Sequence, residues 1–172
     1  MIKLLEKNPV LSICLLVAIM LMPNIDSLNV TIMEARNFIT AREMVSDGNW
    51  LLTTMNGEAR YQKPPLPTWL TAFSSLIFGL KSLFGLRLPA IFMVMIVGSY
   101  MYKLSNSFLN ESQSFINALI AITSFYVIGI IIEAPWDIFT HGFMLIAIFH
   151  LFQLFKNENN HWKHLFVALC QI

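Results

Sequence analysis

Charge is what this chain has least of. Asp, Glu, Lys and Arg make up 12% of its 172 residues, against about 25% in a soluble domain. So few charges cannot cover a water-facing surface of this size. They also nearly cancel, to a formal net +1, so no basic field points to nucleic acid as a partner. Cysteine is almost missing. Cys14 and Cys170 both stand in apolar runs, which leaves no disulfide framework and no cysteine metal site to expect. What fills the chain instead is apolar: 56% hydrophobic residues, with 14 Phe and 10 Met, and a mean hydropathy of +0.64. Lipid solvates such side chains where water does not. The expected fold is all-α, a polytopic transmembrane helical protein with membrane lipids as partners.

Apolar segments are predicted to span at about 10–28, 86–102, 116–132 and 138–155, with a fifth beginning at 164 and a long loop over 29–85. The continuous part of the first is residues 10–22, preceded by Lys3 and Lys7 and closed by Pro23. A signal peptide has the same basic start and apolar middle, but no Ala-x-Ala-like cleavage site follows, which favours an uncleaved helix. At the other end, residues 165–172 open an apolar run of eight, where a spanning helix needs about 20. The sequence is therefore expected to be a fragment of a longer protein, inactive by itself.

The loop is the most polar stretch. Residues 33–46 read as a helix that Asp47-Gly48-Asn49 ends, and Asn56-Gly57 is a second turn. Pro64, Pro65 and Pro67 open another apolar segment, 66–80. At 15 residues, with Ser, Thr and Trp among them, it is expected to lie along the membrane interface rather than cross. Sidedness follows from the short loops. Lys103, Lys156 and Lys163 flank one side, and 133–137 carries no Lys or Arg. That places the N-terminus in the cytoplasm and the first loop outside. Glu34, Lys63 and Asp137 then share one membrane face.

Each of the three has two readings. Asp137 borders an apolar span, where ionisable groups mark function, yet aspartate also serves as a helix N-cap. Glu34 is a site acid or a solvated first-turn acid. Lys63 precedes Pro64, so it stands extended at a helix start. A cation there suits a phosphate, or a headgroup-level anchor. Asp137 and His141, four apart, could share a metal or a hydrogen bond.

The wording of the loop separates these readings. Met33-Glu34-Ala35-Arg36, Arg42-Glu43-Met44, Gly48-Asn49-Trp50, Asn56-Gly57 and Arg60-Tyr61-Gln62-Lys63-Pro64-Pro65 occur in order, followed by Arg87-Leu88-Pro89-Ala90 and by Asp137 at a span start. Over residues 10–156 the chain resembles the bacterial GT-C glycosyltransferases of the protein-mannosyltransferase and aminoarabinose-transferase group. The resemblance implies a plasma-membrane, multi-pass enzyme. Such an enzyme takes a sugar from a polyprenyl phosphate and passes it to a lipid, glycan or protein acceptor on the extracytoplasmic face. It implies Glu34 and Asp137 as catalytic acids, and Lys63 as the contact to the donor phosphate. Arg60, Tyr61 and Arg36 are further substrate-binding candidates.

Two positions depart from the family pattern. Met33 stands where the family commonly has Asp, so Glu34 must substitute or the base lies elsewhere. Gln62 stands where it often has Glu. Where that Glu helps bind a divalent metal, Gln62 removes a ligand; no cofactor is required by the residues present, and a divalent metal stays open as the alternative. A membrane transporter or an inactive scaffold are the competing readings. Span centres nearly free of charge argue against a transport pathway. Trp50, Trp69 and Trp136 are expected as interface anchors, Arg36 and Arg42 as partners of headgroups or of Glu43, and His161 and His164 as solvated.

Overall fold

The computed structural model describes residues 7–23, 25–133, 135–156 and 164–167. Lys3, His161, Lys163 and Cys170 lie outside the described residues. The chain enters as helix α1 (Pro9–Leu21). Proline opens it at the first helical position, where its missing N–H costs nothing. The helix stops at Leu21, so the expected span to residue 28 is helical only in its first part; Pro23 follows where the turn begins.

Helix α2 (Ile32–Ser46) is started by Thr31, whose hydroxyl accepts from the Glu34 N–H at 3.3 Å. Thr31-x-x-Glu34 is the pattern of a capping box, but the glutamate carboxylate is used elsewhere. A short hairpin follows, β1 (Thr54–Met55) against β2 (Glu58–Ala59). Asn56 and Gly57 between them have φ of 56° and 78°, as a two-residue turn with both centres left-handed requires. The Glu43 carboxylate fixes the hairpin: it accepts from Thr54 Oγ1 at 2.7 Å and from the backbone N–H of Asn56 at 2.5 Å.

Helix α3 (Leu66–Phe78) is 13 residues long, about 20 Å at 1.5 Å per residue. It buries Thr68, Thr71, Ala72 and Ser75 and exposes Leu70, Phe73, Leu76 and Ile77. Its small and polar side faces the protein. Asn37 of α2 receives the Thr68 hydroxyl and donates to the Thr71 hydroxyl, each at 3.4 Å. Trp69 Nε1 donates to the Trp50 carbonyl at 2.6 Å, so these two tryptophans tie the loop together besides any anchoring.

Helix α4 (Leu83–Ser105) is the hub, packed against α1, α3, α5 (Glu111–Thr123) and α7 (Pro135–Phe155). Segment 116–132 is not one helix. It breaks at Ser124, whose ψ of 140° is extended, and resumes as α6 (Phe125–Glu133). Helix α4 and residues Trp136–Phe155 of α7 are long and apolar enough to cross a membrane.

Side-chain pairs give the directions. Tyr100 meets Phe149 and Phe108 meets Phe152, so α4 and α7 run parallel. A Cβ on Gly98 would lie 2.7 Å from methyls of both Ile13 and Ile122, and Asn117 reaches Ser105. Arg87 near the start of α4 donates to the Ile25 carbonyl just beyond the end of α1, so α1 and α5 both run opposite to α4, brought close where α4 has no side chain. The starts of α4 and α7 share one end of the bundle with the end of α1. Helix α3 connects them across that end. It begins just after Lys63, which meets Asp137 at the start of α7, and its Ser74 hydroxyl donates to the Gly85 carbonyl near the start of α4 at 2.6 Å.

Candidate active site at the loop end of the bundle

The residues singled out in the sequence fall into two groups at this end. The first is an open pair. Lys63 Nζ lies 3.6 Å from Asp137 Oδ1, with the two side chains 44% and 47% exposed. Lys63 stands just before α3, followed by Pro64 and Pro65, and Asp137 sits in the first turn of α7. Lys63 lines a pocket of about 350 Å³ with Tyr61, Gln62, Leu51 and Thr53.

Arg60 stands beside this pair. Its guanidinium carbon lies 5.6 Å from the centre of the Trp136 ring, a cation–π distance. One of its nitrogens donates to the Arg36 carbonyl at 2.7 Å and to Thr40 Oγ1 at 2.8 Å. Its backbone is pinned as well: the N–H donates to the Thr53 carbonyl, and its own carbonyl accepts from the Thr53 hydroxyl. Burial first, and then the charge of Arg36, pull the Arg60 guanidinium below its usual range; an arginine stays protonated in proteins all the same. Arg36 itself is exposed and touches the Met33 sulfur. It does not pair with Glu43, and neither does Arg42, which donates to the Leu80 carbonyl at 2.8 Å.

The second group is closed. Glu34 has 0% exposure. Its two oxygens accept from Arg87 Nε at 2.6 Å and Nη2 at 2.8 Å, the bidentate fork that only arginine offers. Arg87 also donates to the carbonyls of Ile25 and Leu28. The structure thus separates Glu34 from the Lys63–Asp137 pair by partner. Sequence reading used Arg87 only as part of a pattern; its signal was a charge placed inside an apolar segment. Trp136, read as an interface anchor, lies under Arg60, and its buried Nε1 has no partner among the described residues.

Asp137 and His141 share a hydrogen bond, as one of the two expectations had it, but through the aspartate's backbone carbonyl and not its carboxylate. His141 Nδ1 lies 2.6 Å from the Asp137 backbone carbonyl, and Nε2 lies 3.2 Å from the Tyr126 hydroxyl. A carbonyl only accepts, so Nδ1 carries the proton. Among the described residues no three His, Cys, Asp or Glu side chains converge. Asp137 faces an ammonium, and Gln62 adds no charge. These residues do not fit a divalent ion.

The fold is an all-α bundle with two helices long and apolar enough to cross a membrane, and it carries a cation and a carboxylate side by side at one end. The comparisons name its family. Residues 62–172, more than half of the chain, match the family described as dolichyl-phosphate-mannose-protein mannosyltransferase, and the chain belongs to that family, an all-α membrane protein of GT-C type. It is 30% identical over 94 residues to an undecaprenyl phosphate-alpha-4-amino-4-deoxy-L-arabinose arabinosyl transferase of Shewanella sediminis, covering 55% of this chain and 17% of that protein. The protein of the same description from Pseudomonas savastanoi pv. phaseolicola is 29% identical over 97 residues, 56% of this chain and 18% of its own length. A second such transferase of Proteus mirabilis is 29% identical over 98 residues, with the same shares. The chain spans under a fifth of the length of these relatives. No solved structure matches it.

Proposed function

We propose that this chain carries the donor-binding end of a glycosyltransferase that moves a sugar from a polyprenyl phosphate to a lipid, glycan or protein acceptor. The observation that carries the reading is the half-exposed Lys63–Asp137 pair, whose lysine lines a pocket. The leaving polyprenyl phosphate gains charge as its bond to the sugar breaks, and a fixed ammonium stabilises that charge. Arg60, Tyr61 and Arg36 supply further donors for the phosphate or sugar hydroxyls. The family and the relatives' names support the donor class.

The protein is a multi-pass protein of the plasma membrane, with α1, α4, the broken α5–α6 segment and α7 crossing it. The loop over 29–85 and the site are extracytoplasmic, since the short flanks Lys103 and Lys156 stand at the opposite ends of α4 and α7.

The test is transfer by the full-length protein in membranes. The first donor is the one in the relatives' names, undecaprenyl phosphate-alpha-4-amino-4-deoxy-L-arabinose, with mannosyl and glucosyl polyprenyl phosphates as alternatives. Release of undecaprenyl phosphate or polyprenyl phosphate, with label in an acceptor, supports the reading. Donor binding with no transfer across all three sugars overturns it.

A further inference from the structure

The carboxylates at the loop end are not equivalent. Glu43 is occupied by the hairpin. Glu34 is wholly buried, and both its oxygens are taken by Arg87. A general base must bring a free lone pair within about 2.6–3.2 Å of the proton it removes, and Glu34 offers no approach for a substrate. Asp137 is 47% exposed, and its side-chain partner among the described residues is Lys63 at 3.6 Å. That separation attracts without the closeness of a charge-assisted hydrogen bond, about 2.7–2.9 Å.

We propose that Glu34 is a positioning residue, held out of the chemistry by Arg87, and that Asp137 is the carboxylate that takes the acceptor proton, freed when the donor phosphate draws Lys63 away. The inference rests on the reading that a polyprenyl-phosphate sugar is the donor. Before the donor arrives, the ammonium covers Asp137. A phosphate offers Lys63 several charged oxygens in place of one. As Lys63 turns to it, the carboxylate is left facing the space where the acceptor must stand. The acceptor oxygen then forms its bond to the anomeric carbon while the bond from that carbon to the phosphate oxygen breaks. The bonding pair leaves with the polyprenyl phosphate, beside Lys63. The acceptor proton passes to Asp137 and from there to water.

Glu34 acts at a distance through named contacts. With Arg87 it fixes the first turn of α2 to α4 and to the Ile25–Leu28 turn. The next turn of α2 presents the Arg36 carbonyl and Thr40 to Arg60, and Arg60 lies over Trp136, the neighbour of Asp137.

Two measurements on the full-length protein test this. The first needs no turnover. A water-soluble carbodiimide with glycinamide should join Lys63 to Asp137 in the free protein and leave Glu34 unlabelled. Undecaprenyl phosphate should suppress that crosslink at least tenfold and raise glycinamide labelling of Asp137, while uncharged undecaprenol should do neither. Labelling of Glu34 as fast as Asp137, or a crosslink indifferent to the phosphate, would overturn the proposal.

The second measurement compares Asp137→Asn with Glu34→Gln. A lost general base costs about 10²–10⁴-fold, so Asp137→Asn should lose at least a hundredfold in kcat and Glu34→Gln less than tenfold. With azide as acceptor, an anion that needs no base, Asp137→Asn should recover while the Glu34→Gln deficit persists. Recovery of Glu34→Gln instead makes Glu34 the base. If the wild type transfers no sugar, the donor reading fails, and the crosslinking result still decides whether a polyprenyl phosphate draws Lys63 from Asp137 while Glu34 stays closed.

Discussion

Lys63 and Arg87 are two cations at one end of one bundle, and their surroundings give them opposite work. Lys63 is half exposed beside a single carboxylate oxygen. Its ammonium can change partners at little cost, because an exposed ion pair is worth only about 0–1 kcal/mol. Lys63→Ala in the full-length protein should therefore leave membrane insertion intact and remove the phosphate contact, worth about 1.5–3 kcal/mol. At about 1.4 kcal/mol per decade, transfer falls roughly 10- to 150-fold; donor titration and turnover measure it. Lys63→Arg, equal in charge but different in shape, should recover part of the rate. Arg87 is 6% exposed and fully engaged. Arg87→Met strands a buried carboxylate and should cost about 3–5 kcal/mol of stability, whereas the double change with Glu34→Met should cost less than Arg87→Met alone. Thermal unfolding in nanodiscs reads both. The sequence made Lys63 legible through its proline neighbours and Asp137 through its place before an apolar run. It could not show that Glu34 and Arg87, 53 residues apart, belong together. The loop motif pointed to Glu34 without saying what its carboxylate touches.

At the scale of elements, periodicity and turn chemistry carried far. The helix expected over 33–46 is Ile32–Ser46, and Asn56-Gly57 is a hairpin turn. Hydropathy alone hides two things. An apolar run of sufficient length reads as one helix, so the break at Ser124 was invisible. An apolar segment also does not announce which neighbours it needs. Gly98 is a case in point: the approach of α1 and α5 to α4 depends on its missing side chain, as small residues allow between membrane helices. Gly98→Val should overpack this crossing and cost about 1–3 kcal/mol. A lowered unfolding temperature with unchanged donor affinity in the surviving folded fraction is the expected result.

For the molecule as a whole, the directions of α1, α4 and α7 gather the loop and both charged pairs at one end. Arg87, Arg42 and Arg60 at the loop end are committed to protein partners and so say little about headgroups. With the short flanks deciding, cysteines placed at Asn56 and at Trp136 should react with an impermeant maleimide from outside intact cells. One at Asn106 should react only after the membrane is opened. Labelling of 56 and 136 from opposite sides would mean that α3 crosses and would separate Lys63 from Asp137 in sidedness.

Helix α3 has one more consequence. Its threonines and serine face the protein and its Leu, Phe and Ile side chains face away, the reverse of a helix that water holds in place. On the proposed placement of α3 along the membrane interface, oil lies on its far side and holds it in its seat. Purified into a medium that wets that face, the helix gains a reason to roll over, and Lys63 at its head would turn with it. The expected outcome is that activity of the full-length protein falls with delipidation before any helix unfolds, as activity assays and circular dichroism on the same samples would read.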